Sequence, residues 1–104
     1  MTMDDDIQLM LKYLSKLSSN RIVIKEDYVL INSRRIMITA SLLKSDKVSF
    51  RFGSYQDLLY NLQREGFVYV SDRVIEKVFS HMSQEKYKEF LKGKKQSSNE
   101  SLLR

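Results

Sequence analysis

The sequence predicts a small α+β domain in which helices pack on one face of a mostly antiparallel sheet. Near both ends of the chain, apolar residues recur at spacings of three and four, as on the buried face of a helix. The middle of the chain contains short β-branched runs in which apolar and polar residues alternate. A length of 104 residues with 42% hydrophobic residues suits one domain with its own core. The predicted order of elements is α-β-β-β-β-α-β-α.

The first element is a predicted helix from about residue 4 to residue 18. Its apolar face consists of Ile7, Met10, Leu11, Leu14 and Leu17. Asp4, Asp5 and Asp6 stand at the start, where the helix dipole favours carboxylates. Three adjacent aspartates are also compatible with a metal site, but no His or Glu follows at ligand spacing. Helix capping is therefore the better interpretation, and we expect no bound metal.

Four strands are predicted between residues 21 and 52. Residues 21–25 and 28–32 have the spacing of a hairpin, and residues 32–34 indicate a second turn. A longer strand is predicted over residues 35–43, with an inward face of Ile36, Ile38, Ala40 and Leu42. The fourth strand alternates most regularly, and its inward residues are Val48, Phe50 and Phe52.

The second half of the chain predicts a helix, a short strand and a last helix. Ser54 and Asp57 match a capping box, and Gly66 supplies a residue that can end the second helix. Residues 67–70 form the predicted short strand, and the last helix begins near Asp72 and ends at Gly93. We therefore expect one domain over residues 1–93, followed by a flexible polar and basic tail over residues 94–104.

Positive charge is concentrated in the predicted strands. The chain has a net charge of +5, and the segment from Lys12 to Arg51 alone contains nine Lys and Arg residues against three acids. If the β-branched residues face the core, alternation places Arg21, Lys25, Arg35, Lys47 and Arg51 together on the outer face, where Val23 and Met37 also fall. Such a surface favours polyanions. The predicted nucleic-acid-binding residues are Arg21, Lys25, Arg34, Arg35, Lys47, Arg51 and Arg64.

Residues 39–70 suggest an alternative fold. Leu58-Leu59-Tyr60-Asn61-Leu62 followed by Gly66-Phe67-Val68 resembles the recognition helix of a winged helix-turn-helix protein leading into its wing strand. This resemblance covers about a third of the chain, and it implies DNA binding through polar residues of that helix.

A third possibility is a sheet that reads RNA through the aromatic and basic run Phe50-Arg51-Phe52. It requires both phenylalanine rings to face solvent, which their alternation with polar residues opposes. DNA is thus the preferred expected partner, with a regulatory or accessory role for the protein.

The remaining features point away from catalysis and membranes. The chain has no Cys, no phosphate-binding Gly loop and a single histidine, His81, without a catalytic partner pattern. We expect no enzyme activity, no cofactor and no small-molecule substrate. The acidic N-terminus and the lack of a long apolar run predict a soluble cytoplasmic or nuclear protein without a membrane partner.

The main competing function is assembly. The last predicted helix carries an apolar stripe from Val74 to Leu91, which is long for a domain of this size to bury. A homodimer or partner interface is therefore expected at Val78, Phe79, Met82, Tyr87 and Phe90.

Overall fold

The computed structural model describes the backbone of residues 3–102 and the side chains of residues 3–92. Over this range, three helices and five strands follow one another along the chain. They are α1 (Asp5–Leu17), β1 (Ile22–Ile24), β2 (Val29–Ile31), β3 (Arg34–Ile38), β4 (Leu42–Lys44), β5 (Ser49–Arg51), α2 (Tyr55–Arg64) and α3 (Asp72–Leu102). The strands form one antiparallel sheet in the order β1-β2-β3-β4-β5. The predicted α+β class is therefore confirmed.

The helices begin where the sequence places their caps. The Asp4 carboxylate accepts a hydrogen bond from the backbone N–H of Asp6 at 2.7 Å. At the start of α2, Ser54 Oγ accepts from the Asp57 N–H at 3.1 Å, and the Asp57 carboxylate accepts from the Gly53 N–H at 3.1 Å. Both caps satisfy N–H groups that have no partner within the helix.

The core lies between one face of the sheet and the helices. Its fully buried members are Ile7, Met10, Leu11 and Leu14 of α1, Val29, Ile31, Ile36 and Leu43 of the sheet, Leu58, Leu59 and Leu62 of α2, Phe67, and Val78 of α3. Phe52 is also buried, and Val48 and Phe50 pack against this cluster, as the alternation predicts. Within the described part of the chain, no helix packs on the opposite face of the sheet, where Met37 is 46% exposed.

The predicted strand over residues 35–43 is in fact two strands. The chain reverses after β3, and Thr39 closes the turn: its N–H donates to the Leu42 carbonyl at 2.9 Å and its hydroxyl oxygen accepts from the Leu42 N–H at 3.1 Å. The reversal changes which residues face inward. Leu43 is fully buried, whereas Leu42 faces outward, on the same side of the sheet as its cross-strand partner Arg51.

Residues 67–70 do not form the predicted strand. Their backbone groups bond instead to a helix end and to two asparagine side chains. The Phe67 N–H donates to the Leu62 carbonyl at 2.9 Å, and Asn32 Nδ2 donates to the Phe67 carbonyl at 2.9 Å. Asn20 bonds both the N–H and the carbonyl of Tyr69. These bonds satisfy the segment without a neighbouring strand.

The winged helix-turn-helix alternative is wrong. Residues 42–51, which precede α2, contain β4 and β5 where a helix-turn-helix needs its first helix, and no wing strand follows α2 in the described chain up to residue 102. The last helix also differs from its prediction, because α3 continues through Gly93 to Leu102. Glycine in a helix interior costs only about 1 kcal/mol, so it does not by itself end a helix. The side chains of residues 93–104 lie outside the described part, and the flexible tail stays a prediction.

Candidate nucleic-acid interface

The uncovered side of the sheet, called here the outer face, is defined by strand register. Directly paired residues of antiparallel strands point to the same side. The outward-pointing residues of the paired strands are Val23, Leu30, Arg35, Met37, Lys44, Leu42, Ser49 and Arg51. Met37 is 46% exposed and Val23 is 39% exposed, so neither is covered by another part of the described chain.

By this register, four of the five cations that the sequence assigns to the outer face lie on it. Arg35 and Arg51 lie within it. Arg21 and Lys25 flank β1 two residues from Val23, and backbone hydrogen bonds from Asn32 to Arg21 and from Lys25 to Tyr28 extend the β1–β2 ladder to both. At about 4.8 Å per strand, the five strands span about 19 Å. The fifth cation, Lys47, lies in the turn between β4 and β5, next to the outer face.

Lys44 and Tyr28 also lie on this face, although the sequence did not predict it. Lys44 pairs with Met37 and adds a cation on β4, next to the central strand β3. Tyr28 lies under Arg35, whose guanidinium carbon is 4.2 Å from the centre of the tyrosine ring. The spacing of two residues between Tyr28 and Leu30 would have placed Tyr28 on the outer face. The side of Lys44 depended on where the 35–43 strand breaks, which the pattern did not reveal.

Two predicted binding residues lie elsewhere. Arg34 pairs with Ile31 and therefore points to the core side, where its guanidinium carbon is 4.1 Å from the centre of the Phe67 ring. Arg64 lies at the end of α2, on the helical side, and donates to Asn61 at 3.1 Å. Arg64 is therefore separate from the cations of the outer face. The RNA-reading interpretation of Phe50-Arg51-Phe52 is also wrong, because Phe52 is buried and Phe50 packs on the core.

The acids of the sheet region are confined to turns. Glu26 and Asp27 lie between β1 and β2, and Asp46 lies between β4 and β5. The outer-face residues of the paired strands include cations but no carboxylate. The salt bridge from Lys86 Nζ to Asp6 Oδ2, at 2.9 Å, lies on the helical side. Positive charge therefore dominates the outer face itself.

An open groove of about 670 Å³ indents this surface. It exists because β3 pairs with β4 only at Met37 and Ile38, so the turn after β4 diverges from the first half of β3. Its lining consists of Ser33, Arg34, Arg35, Met37, Lys44, Ser45, Asp46 and Lys47. Three cations of the outer face, Arg35, Lys44 and Lys47, thus lie beside one carboxylate, while the Arg34 guanidinium points to the core side. The turn is held by Ser45, whose hydroxyl oxygen accepts from the N–H groups of Lys47 and Val48 at 3.2 and 3.0 Å.

The predicted interface residues of the last helix fall into three groups. Val78 and Met82 are buried in the core against α1 and are not available to a partner; that part of the prediction is wrong. Phe79 is partly buried against the same core. Tyr87 and Phe90 are about 60% exposed.

His81 is packed beside α1. Its Nδ1 lies 2.8 Å from the Lys77 carbonyl, and its ring centre is 5.4 Å from that of Tyr13. The Tyr13 hydroxyl donates to Glu85 Oε2 at 2.6 Å, and this hydrogen bond, more than burial, raises the pKa of Tyr13 above its ordinary value of 10.0. Since ionisation of Tyr13 is opposed, these contacts suit helix packing better than acid–base chemistry.

Comparisons of the chain with protein-family models, curated proteins and solved structures found no match. Within residues 3–102, no helix is both long and apolar enough to cross a membrane. The described side chains also contain no cluster of three or more potential metal ligands.

Proposed function

We propose that this protein binds nucleic acid through the outer face of its sheet, in a regulatory or accessory role, with DNA as the first ligand to test. The observation that carries the proposal is the shared register of Arg35, Lys44 and Arg51, flanked by Arg21 and Lys25. Phosphate oxygens accept hydrogen bonds from arginine and lysine, and each neutralised phosphate releases condensed counterions. Binding is then favoured without base-specific contacts.

The salt dependence of binding tests the proposal. If the five cations of this face each neutralise one phosphate, the slope of log K against log salt is about −4.5 for duplex DNA and about −3.5 for a single strand. Fluorescence anisotropy with labelled oligonucleotides, measured from about 50 to 200 mM salt, gives this slope directly.

A matched pair of variants locates the contact. Lys44→Gln removes a central cation of the outer face, and we expect weaker binding and a slope smaller by about 1. Lys77→Gln removes the same charge from an exposed position on α3, on the helical side, and we expect little change. Equal effects of the two substitutions, or no binding to any nucleic acid at low salt, would contradict the proposal.

A second candidate function is self-association through the distal part of α3. Beyond Met82, the last buried residue of the helix in the described part, Tyr87, Phe90 and Leu91 expose 60%, 61% and 41% of their surfaces. Their spacing of three and four residues places them on one side of the helix. Light scattering should then show a dimer that Tyr87→Glu with Leu91→Lys converts to a monomer, whereas Glu89→Gln, on the opposite side of the helix, leaves it intact. A monomer at all concentrations contradicts this candidate.

A further inference from the structure

The outer face differs from a simple phosphate-binding surface in three respects. It contains exposed apolar side chains, Val23 and Met37. It carries an aromatic ring, Tyr28, already stacked under an arginine. It is indented by a groove rather than bearing a projecting helix or ribbon. We propose, resting on the proposed function above, that the ligand is single-stranded nucleic acid, with an unpaired base stacked on Arg35 above Tyr28 and a phosphate held in the groove beside it.

The stacking position follows from the geometry of Arg35. The guanidinium carbon of Arg35 lies over the Tyr28 ring, 4.2 Å from the ring centre. Arg35 is nevertheless exposed, so its side chain is accessible to a ligand from solvent. Unpaired bases stack on arginine planes and aromatic rings, and every base offers a flat face for this contact. The tyrosine underneath fixes the orientation of the guanidinium before the ligand arrives, which reduces the entropy lost on binding.

The phosphate position follows from the groove. Arg35 lines the groove together with Lys44 and Lys47, and Met37 of β3 belongs to the same lining. Its volume of about 670 Å³ falls within the ~300–1,000 Å³ range of small-molecule sites, which is enough for a nucleotide unit. Lys44 and Lys47 supply point charges for phosphate oxygens, and Met37 offers an apolar contact to the adjoining base or sugar.

The same features disfavour a duplex. In duplex DNA the bases are stacked on one another, so their faces cannot reach Arg35 or Met37. Protein elements that read a duplex project into a major groove about 12 Å wide, whereas this site is recessed. Contact between charged phosphates and the exposed Val23 and Met37 gives no hydrophobic stabilisation. Contact with bases does, because it removes apolar surface from water.

The test compares the intact chain's binding to oligo(dT), oligo(U) and a duplex of equal length by fluorescence anisotropy at low salt. We expect at least one single strand to bind about tenfold or more tighter than the duplex, and the tighter of the two identifies DNA or RNA as the source. Tyr28→Leu keeps an apolar side chain but removes the ring, so single-strand affinity should fall about 5- to 100-fold with an unchanged salt slope. Arg35→Lys keeps the charge, loses the plane and should have a similar effect.

Tyr69→Leu is the matched control, because Tyr69 is 73% exposed but follows α2 and does not line the groove. Circular dichroism melts of each variant establish that it folds. Duplex binding equal to or tighter than single-strand binding, or a Tyr28→Leu variant indistinguishable from Tyr69→Leu, overturns the single-strand inference and leaves the proposed function standing. The absence of binding to all three probes overturns both.

Discussion

Asn20 connects three separate parts of the chain through one side chain. It is 5% exposed and is the buried polar residue of the described core. Its Oδ1 accepts from the Tyr69 N–H at 2.8 Å and from Asn32 Nδ2 at 2.9 Å, and its Nδ2 donates to the Tyr69 carbonyl at 3.1 Å and to Ser18 Oγ at 2.9 Å. We predict that Asn20→Ala strongly lowers the free energy of unfolding, although it removes only one small polar side chain.

The magnitude follows from the groups left behind. The substitution removes the Asn20 partner from both backbone groups of Tyr69 and from one donor of Asn32. A hydrogen bond contributes about 1 kcal/mol net, and a buried group left without a partner costs about 1–3 kcal/mol. Asn32 Nδ2 keeps its bond to the Phe67 carbonyl, and the exposed side of Tyr69 admits water, which limits the total. We expect the free energy of unfolding to fall by about 2–4 kcal/mol.

Urea denaturation followed by circular dichroism measures this change. Asn61→Ala is the control, because Asn61 bonds within its own helix, to the Asp57 carbonyl at 2.8 Å, and we expect a cost below about 1 kcal/mol. Hydrogen exchange adds a local readout: the Tyr69 amide loses protection in Asn20→Ala, whereas the Phe67 amide keeps its bond to the Leu62 carbonyl. Equal stability costs for the two variants, with Tyr69 protection unchanged, would refute the reasoning.

Two further predictions concern a turn and a tyrosine. Asn32 and Ser33 form the β2–β3 turn with φ of 51° and 70°, so Ser33→Gly should raise the free energy of unfolding by about 0.5–1 kcal/mol in urea denaturation; a decrease contradicts it. The raised pKa of Tyr13 means that above pH 10.0 the unfolded chain loses this proton before the folded chain does. Stability should therefore fall as pH rises through that region, and fall less steeply in Tyr13→Phe; identical pH profiles contradict the role of the Glu85 bond.

Several elements could be predicted because their causes are local. The caps at Asp4 and Ser54 act within one helical turn, and the apolar faces of α1 and α2 repeat at fixed spacing. The alternation that sends Val48, Phe50 and Phe52 inward needs only the pleat of a single strand. The same alternation, applied to β1, β3 and β5, predicted the common side of Arg21, Lys25, Arg35 and Arg51.

Other features depended on contacts between distant residues. Apolar residues recur at positions 36, 38, 40 and 42 without a break, so the sequence did not show the reversal at Thr39 or the outward side of Leu42 and Lys44 that follows from it. Residues 67–70 have the composition of a strand, yet Asn20 and Asn32 satisfy their backbone groups from other parts of the chain. Local pattern cannot specify which distant amide reaches which carbonyl.

The sequence by itself determined an α+β domain with capped helices and a cationic side to its sheet, because helix caps, helical faces and strand pleats are fixed by neighbouring residues. Only the tertiary structure decided that β3 pairs with β2 over residues 34–36 and with β4 over residues 37–38. It also decided that a groove opens beside Arg35 and Lys44 and that Tyr28 lies under Arg35. These features arise from the register between strands and the point where the chain turns back, which are set by packing of the whole domain.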